Sequence, residues 1–560
     1  MKLHVSIARE AENDALNAGR TPTPALPLNT GRGGKKGLVR GVDLMWILSA
    51  RVRSGMRLMA FCIIAFGITE WARAQTETSV APANRLAADI FSEKLAINCV
   101  WTLVAGFLVM FMQAGFALIE TGMCRAKNAA HTMSMNLLVY ALSMAGFWAV
   151  GFAFMCGGVN GIPGGPGGPA GLGLDHAGVF HNMLTIHGWG FLGASGFFLL
   201  GHVHDSVGAL VWFFYMMVFM DTAATIPTGS LAERWRIKSF AIFSVCVGAF
   251  LYPIYGCWMW GGGWLSQMGQ HWGLGHGAVD FAGSSVVHLQ GGVLALACLL
   301  QLGPRIGKYD EEGNPRPIFG HHMPMVVLGT LVLAFGWFGF NAGSTMSVTS
   351  GRIALIAVNT MLASGAGTLA ATIYLWNSFG KPDPSLICNG TLGGLVAITA
   401  SCAFVSPPAA VFIGTIAGLI TVLGVLTLER RGIDDPVGAI SVHGIAGLWG
   451  ILAVGLFADG SWGDGFNGVS GNVTGLFYGH HEAGQLLSQA IAAVVCIAWN
   501  LIAGGGVFWL IGKYFGGNRV RPQIEVAGLD IPEMGAPGYP EFITNIAQEQ
   551  VSSSEISAAR

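Results

Sequence analysis

Two segments of the chain share the pattern D-x-x-G-x-x-x-V-H-x-x-[GA]-G: DFAGSSVVHLQGG from Asp280 and DPVGAISVHGIAG from Asp435. Each sets one histidine, His288 or His443, inside a long apolar run. An ionisable group is expensive there, and it marks a functional path or bonds a neighbouring helix. A pair of neutral imidazoles with few other polar groups nearby makes a narrow, mostly apolar passage with hydrogen-bonding sites and the capacity to relay a proton. Such a passage is a poor route for an ion that keeps its charge, since a bare cation at the bilayer centre costs from about 3 to above 10 kcal/mol. A cation able to shed a proton and cross as a neutral molecule escapes that cost, and ammonium is one.

Spacing says how such histidines are held. In each segment the aspartate stands at the start of its helix, where a carboxylate suits the helix dipole. The histidine follows eight residues later, about 12 Å along the axis, near the middle of a hydrocarbon layer about 30 Å thick. Glycines 291, 292, 444 and 447 allow close helix approach.

The composition supplies the membrane. Of the residues, 52% are hydrophobic and 11% charged, with a mean hydropathy of +0.57, as in a polytopic membrane protein. Stretches long enough to span begin near Leu95, Met133, Val207, Phe240, Ser285, Met325, Ala354, Leu392, Val411, Val437 and Leu486, eleven in all. Basic residues follow each odd-numbered stretch: Arg125 and Lys127; Arg234, Arg236 and Lys238; Arg305, Lys308 and Arg316; Lys381; Arg430 and Arg431; then Lys513, Arg519 and Arg521. Arg352 is the exception in the alternate loops. Positive residues are retained in the cytoplasm, so the expected topology is N-terminus outside and C-terminus inside. His288 and His443 then lie on the fifth and tenth helices, which cross in opposite directions, as in two five-helix inverted repeats followed by a C-terminal helix.

An outside N-terminus requires export, and MRLMAFCIIAFGITEWARAQ reads as a signal peptide over residues 56–74, cleaved after Ala74. An uncleaved twelfth helix is the competing reading. Residues 1–55 read as a disordered leader or as sequence upstream of the true start. Residues 90–515 are the expected membrane domain and 516–560 a cytoplasmic tail, short and polar after Phe542. The Gly/Pro-rich stretch from Gly157 lacks the Lys-Ser/Thr ending of a phosphate loop and reads as an external flexible loop. Ten scattered cysteines without a C-x-x-C pair read as small core residues. The pairs His202/His204, His321/His322 and His480/His481 lack a third ligand nearby and read as solvated, so neither metal nor cofactor is expected.

The stretch DFAGSSVVHLQGGVLALACLLQLGPR from Asp280, GWFGFNAGS from Gly336, DDPVGAISVHG from Asp434 and GLDIPEMGAPGYP from Gly528 resemble, in order, the motifs of the ammonium transporter (Amt/Mep/Rh) family. The resemblance covers roughly residues 90 to 542. It implies an eleven-helix protomer in a homotrimer in the cell inner membrane, one conduction path per subunit, no enzymatic activity, no nucleic-acid partner, and often regulation by a PII-type signal protein on the cytoplasmic face. The cargo it implies is ammonium or ammonia, with methylammonium as an analogue. The family's external ammonium site falls on Phe219, Trp260 and Ser344, its phenylalanine gate on Phe219 and Phe340, and its twin pore histidines on His288 and His443. Asp280 matches the acid that supports the site without being its ligand. An aromatic face attracts a cation and a hydroxyl accepts an N–H bond, so the residue types suit those roles; outside the motifs, the same residues would read as packing. The chain departs from the family in its long N-terminal extension, its expanded Gly/Pro loop and Gln290 two residues beyond His288.

Three functions fit these residues: an ammonium transporter, an ammonium sensor signalling to a cytoplasmic partner, and a membrane oxidoreductase with both histidines as axial haem ligands. Whether the species carried is ammonia, ammonium or ammonia plus a separated proton is open at this stage.

Overall fold

A computed structural model describes residues 82–541 apart from 163–164, 176–177 and 480–482, with side chains from residue 90. The expected leader and signal peptide, and the pair His480/His481, lie outside the described residues.

Among the described residues, eleven apolar helices overlap the expected stretches: α1 (Ile90–Met123), α2 (Ala126–Cys156), α3 (Val207–Ser230), α4 (Ile237–Met259), α5 (Ser284–Leu302), α6 (Met323–Thr345), α7 (Ile353–Phe379), α8 (Pro384–Ile398), α9 (Pro407–Arg430), α10 (Ile440–Phe457) and α11 (Gly484–Tyr514). Ten are long and apolar enough to cross a membrane, and α8 is the shorter one. It starts well before the expected Leu392, because Asp383 accepts bonds from Ser385 N and Leu386 N and so begins the helix there. The buried turn after α8 is held by side chains: Ser284 Oγ accepts from Ala400 N, and Asn359 Nδ2 donates to Cys402 O and Val405 O. Irregular backbone survives at membrane depth only when satisfied in this way.

The ends of the bundle differ in chemistry. One, here the loop face, carries the segment between α2 and α3, with its antiparallel hairpin of β1 (Met183–Ile186) and β2 (Trp189–Gly193). The other, the basic face, gathers ion pairs. Arg305 holds Asp434 in a bidentate pair, Nε–Oδ2 and Nη2–Oδ1 both 2.9 Å, while Arg125 and Arg305 both pair with Glu233. The tail returns to this face through a short helix α12 (Pro522–Ala527): Glu525 accepts from Ile306 N and Arg519, Asp530 from His131 N, and Glu533 from Ile237 N.

These contacts fix the relation between α5 and α10. Arg305, just past the end of α5, grips Asp434, just before the start of α10, so the two helices run antiparallel. They cross at glycines: a Cβ on Gly292 would fall 2.3 Å from Gly444 N, and one on Gly447 would fall 2.7 Å from Ser284 O.

Candidate functional site

The site is a row of rings beginning at the loop face. There an open vestibule of about 760 Å³ is lined in part by Trp212, Phe219, Trp260, Ser344 and Trp462, together with Pro166–Gly171 of the Gly/Pro-rich loop. That loop is a wall of the vestibule with its own bonds, Gly168 N to Asn160 Oδ1 among them.

Trp260 sits at the end of α4, half-exposed to the vestibule, and its indole Nε1 donates to Asp280 O at 2.6 Å. The indole packs over Gly283, whose φ of +114° only glycine adopts readily and where a Cβ would come 3.3 Å from the Trp260 ring and 2.8 Å from Val287. The Asp280 carboxylate is fully used. Oδ1 accepts from Gly283 N and Ser284 N, and Oδ2 accepts from Ser285 N, Ser285 Oγ and Val286 N, all between 2.7 and 3.0 Å. It caps α5 and orients Trp260 through its backbone, with no lone pair left for a ligand.

Beneath Trp260, Phe219 of α3 lies 6.1 Å away between ring centroids, and Phe340 of α6 stacks on Phe219 at 3.9 Å with 21° between planes. Both phenylalanines are buried, and nothing passes between rings at that separation. Ser344 follows one turn beyond Phe340 and donates to Phe340 O at 2.8 Å, which leaves oxygen lone pairs toward the vestibule. Tyr215, one turn before Phe219, donates to Gly339 O and Phe340 O and lies 3.3 Å from Ser344 Oγ. It ties α3 to α6 behind the gate.

Past the gate, Phe340 faces His288 at 5.5 Å and His288 faces His443 at 5.2 Å between centroids. The imidazoles are 0% and 3% exposed, with Nδ1 to Nδ1 at 3.1 Å. One proton lies between two nitrogens at that distance, so one ring donates and the other accepts. The outward Nε2 atoms are then unlike: one presents a lone pair and the other an N–H. Protonating both rings would set two N–H groups against each other, so the pair holds at most one extra charge. The direct contact fills the space a haem iron and its porphyrin would need between axial ligands, so this geometry rejects the oxidoreductase reading. Trp337 stacks on His288 at 5.1 Å, and Phe116 of α1 flanks His443 at 6.0 Å. Beyond His443 a cavity of about 20 Å³ is lined by Phe116, Ile119, Glu120, Asn389, Val437 and His443 among others.

All seven residues singled out from the sequence thus form one connected row with its support. Both histidines stand in π-helical turns, Ser284–Leu289 and Ile440–Ile445, which a sequence pattern does not reveal. Tyr215, Trp337, Phe116 and Glu120 were not anticipated; Tyr215 and Trp337 lie one helical turn from Phe219 and Phe340, the only sequence signal that would have found them. Gln290 turns away from the histidine pair and donates to Leu251 O. Among the other histidines, His202 and His204 are exposed, and His321 contacts Tyr539 Oη at 2.7 Å.

The family model described as the Ammonium Transporter Family matches residues 100–539. Ammonium transporter Amt2 of Archaeoglobus fulgidus is 48% identical over 452 residues, covering 80% of this chain and 90% of the relative. Among solved structures, one titled Sensor Amt Protein superposes with a TM-score of 0.67 at 34% identity, covering 79% of this chain and 99% of that one. Candida albicans Mep2 superposes with a TM-score of 0.62 at 27% identity, covering 76% and 86% respectively.

Proposed function

The chain belongs to the Ammonium Transporter Family, and from that premise we propose how its residues move their cargo. Ammonium is captured in the vestibule between the faces of Trp260 and Phe219, with the Ser344 hydroxyl accepting one N–H. Cation–π attraction contributes about 2 kcal/mol once the cation is desolvated. Potassium of similar size gains the aromatic attraction but donates no hydrogen bond. The cation sheds a proton at the gate, Phe219 and Phe340 swing apart, and ammonia passes along His288 and His443. The neutral imidazoles take and give single hydrogen bonds without requiring charge. Deprotonation is what admits the cargo, because a cation held among Phe340, Trp337 and Phe116 would meet the full cost of the bilayer centre. The proton travels separately.

The observation that carries this reading is the unbroken succession Trp260, Phe219, Phe340, His288, His443, each ring within 6.1 Å of the next. It supports a path one molecule wide that leads from an open vestibule to a dry interior.

The distribution of charge supports an orientation in the membrane. The basic face lies in the cytoplasm by the retention of Lys and Arg, the loop face and N-terminus lie outside, and the membrane is the cell inner membrane. The chain assembles as a homotrimer, with exposed apolar faces such as Phe107 and Phe111 on α1 and Leu328, Leu331 and Phe335 on α6 available to lipid and neighbours. A PII-type signal protein docks on the basic face. The solved structure titled Sensor Amt Protein gives the sensor reading its one specific support.

One experiment separates these readings. Growth of a transporter-deficient host on low ammonium is expected with the wild type and lost with His288→Ala or His443→Ala at equal membrane expression, and ammonium-evoked current in proteoliposomes is expected to fall by about 10-fold or more in both variants. Failure of the wild type to rescue growth despite good expression would favour the sensor, and wild-type rates in both variants would show the histidines to be packing.

A further inference from the structure

Resting on the proton-separating path above, we propose that Glu120 is the residue that hands a proton back to ammonia on the basic-face side of the histidines. Glu120 is 2% exposed on α1, and it lines the same cavity as His443. A volume of about 20 Å³ is room for about one water-sized molecule, and ammonia is of that size. A molecule leaving His443 into this cavity therefore meets the carboxyl group.

Among the described residues no lysine, arginine or histidine lies within ion-pair distance of Glu120. Glu233, equally buried, is neutralised by Arg125 and Arg305. An intramembrane carboxyl without a counter-ion is costly as an anion and is retained where it handles a proton or a cation.

Its hydrogen bonds accommodate both protonation states. Thr228 Oγ1 lies 2.8 and 2.7 Å from the two Glu120 oxygens and 2.5 Å from Thr225 O. One hydroxyl hydrogen serves one strong bond at a time. When Glu120 is ionised, Thr228 and Asn136 Nδ2, at 2.6 Å, both donate to it. When Glu120 is protonated, it donates to Thr228 Oγ1 and the hydroxyl turns its hydrogen to Thr225 O. A rotation of one hydroxyl thus converts one state into the other with no buried group left unpaired. Asn136 is positioned in turn by Gln113, whose Nε2 donates to Asn136 O and whose Oε1 accepts from Thr225.

The step balances simply. The Glu120 O–H bond breaks as an N–H bond forms, giving ammonium and a carboxylate, and the carboxylate regains the proton that the next ammonium sheds at the vestibule.

The test compares wild type, Glu120→Gln and Glu120→Asp in proteoliposomes, reading ammonium-evoked current in H₂O and D₂O, with thermal unfolding of each purified variant alongside. Glu120→Gln keeps the shape and an acceptor but holds no transferable proton, so the current is expected to fall about 10-fold or more, and Glu120→Asp to recover part of it. Unfolding temperatures are expected to stay close to wild type. Thr228→Val serves as a second probe that leaves the carboxyl in place and removes the rotating hydroxyl; the current is expected to fall and the solvent isotope effect to grow. Glu120→Gln with wild-type current, or a Thr228→Val current unchanged in size and isotope effect, overturns the assignment alone. A wild type that rescues growth yet gives no ammonium-evoked current overturns the proton-separating path and takes the assignment with it.

Discussion

The two repeated segments hold their histidines alike and anchor themselves differently. Asp280 and Asp435 each stand eight residues before a histidine in a π-helical turn, and the two imidazoles meet at 3.1 Å. At the loop face the anchor is internal to the segment: the Asp280 carboxylate takes five donors and its backbone carbonyl aims Trp260. At the basic face Asp435 is half-exposed and takes two good donors, Ile440 N at 2.7 Å and Gly438 N at 3.1 Å. The firmness there comes from its neighbour Asp434, locked to Arg305 at the end of the other segment. A duplicated scaffold has been specialised at its two ends, aromatic recognition at one and a charged clasp at the other, while the middle keeps its symmetry.

The largest expected effect breaks the internal anchor. Asp280→Ala leaves four buried backbone N–H groups without partners, and the loss is expected to exceed about 4 kcal/mol, so that little folded protein is recovered. Asp435→Ala removes fewer bonds, two good ones against five, and about 1–3 kcal/mol is expected. Fluorescence-monitored elution and thermal unfolding of the purified variants read both. Equal losses would mean that the two caps are equivalent and that the contrast drawn here is wrong.

Next comes the charged clasp. Asp434→Asn leaves the Arg305 guanidinium buried without its bidentate partner, expected to cost about 3–5 kcal/mol at neutral pH. Burial alone would raise the Asp434 pKa, but the Arg305 hydrogen bonds and charge, with Arg234 beside them, hold it well below the usual carboxylate range. A depressed folded-state pKa gives stability that is complete above the unfolded value of about 3.9 and declines as pH falls below it. The stability gap between wild type and Asp434→Asn is therefore expected to be constant from pH 7 to about 5 and to narrow below pH 4. A gap that stays constant down to pH 3 would remove the ion pair from the account.

Much of this was legible in the chain. The eleven apolar runs, the basic residues that gather on one face, and the Asp-to-His spacing each follow from local chemistry, and the glycine crossing follows from Gly292 and Gly444 standing just past the histidines. What was hidden depends on separation in sequence or on local backbone geometry. Phe219 and Phe340 are stacked although 121 positions apart, and only the motif resemblance paired them. The π-helical turns add one residue per turn without altering composition. Glu120 near the end of α1 was not singled out from the sequence, and only the fold brings Thr228 and Asn136 around it. The Gly/Pro-rich loop reads as flexible because turn residues say nothing of what the turns pack against, and here they wall the vestibule.

The finest distinction lies between two glycines where the segments cross. At Gly292 an added Cβ would sit 2.3 Å from Gly444 N and 2.9 Å from His443 C, both rigid backbone atoms. At Gly444 the nearest heavy atoms to an added Cβ are 3.7 Å away, ordinary contact distance. Gly292 stands four residues past His288 and Gly444 one past His443, so they are not equivalent places in the repeat, and the α5 glycine points straight at the partner backbone while the α10 glycine points past it. Gly292→Ala must therefore push the helices apart and with them the imidazoles, and a loss of about 1–3 kcal/mol is expected together with reduced current. Gly444→Ala is expected to stay within about 0.5 kcal/mol of wild type, as substitutions without a steric cause do. Thermal unfolding of the two variants side by side checks this, and a Gly444→Ala loss as large as that of Gly292→Ala would show the crossing to be equally tight from both sides.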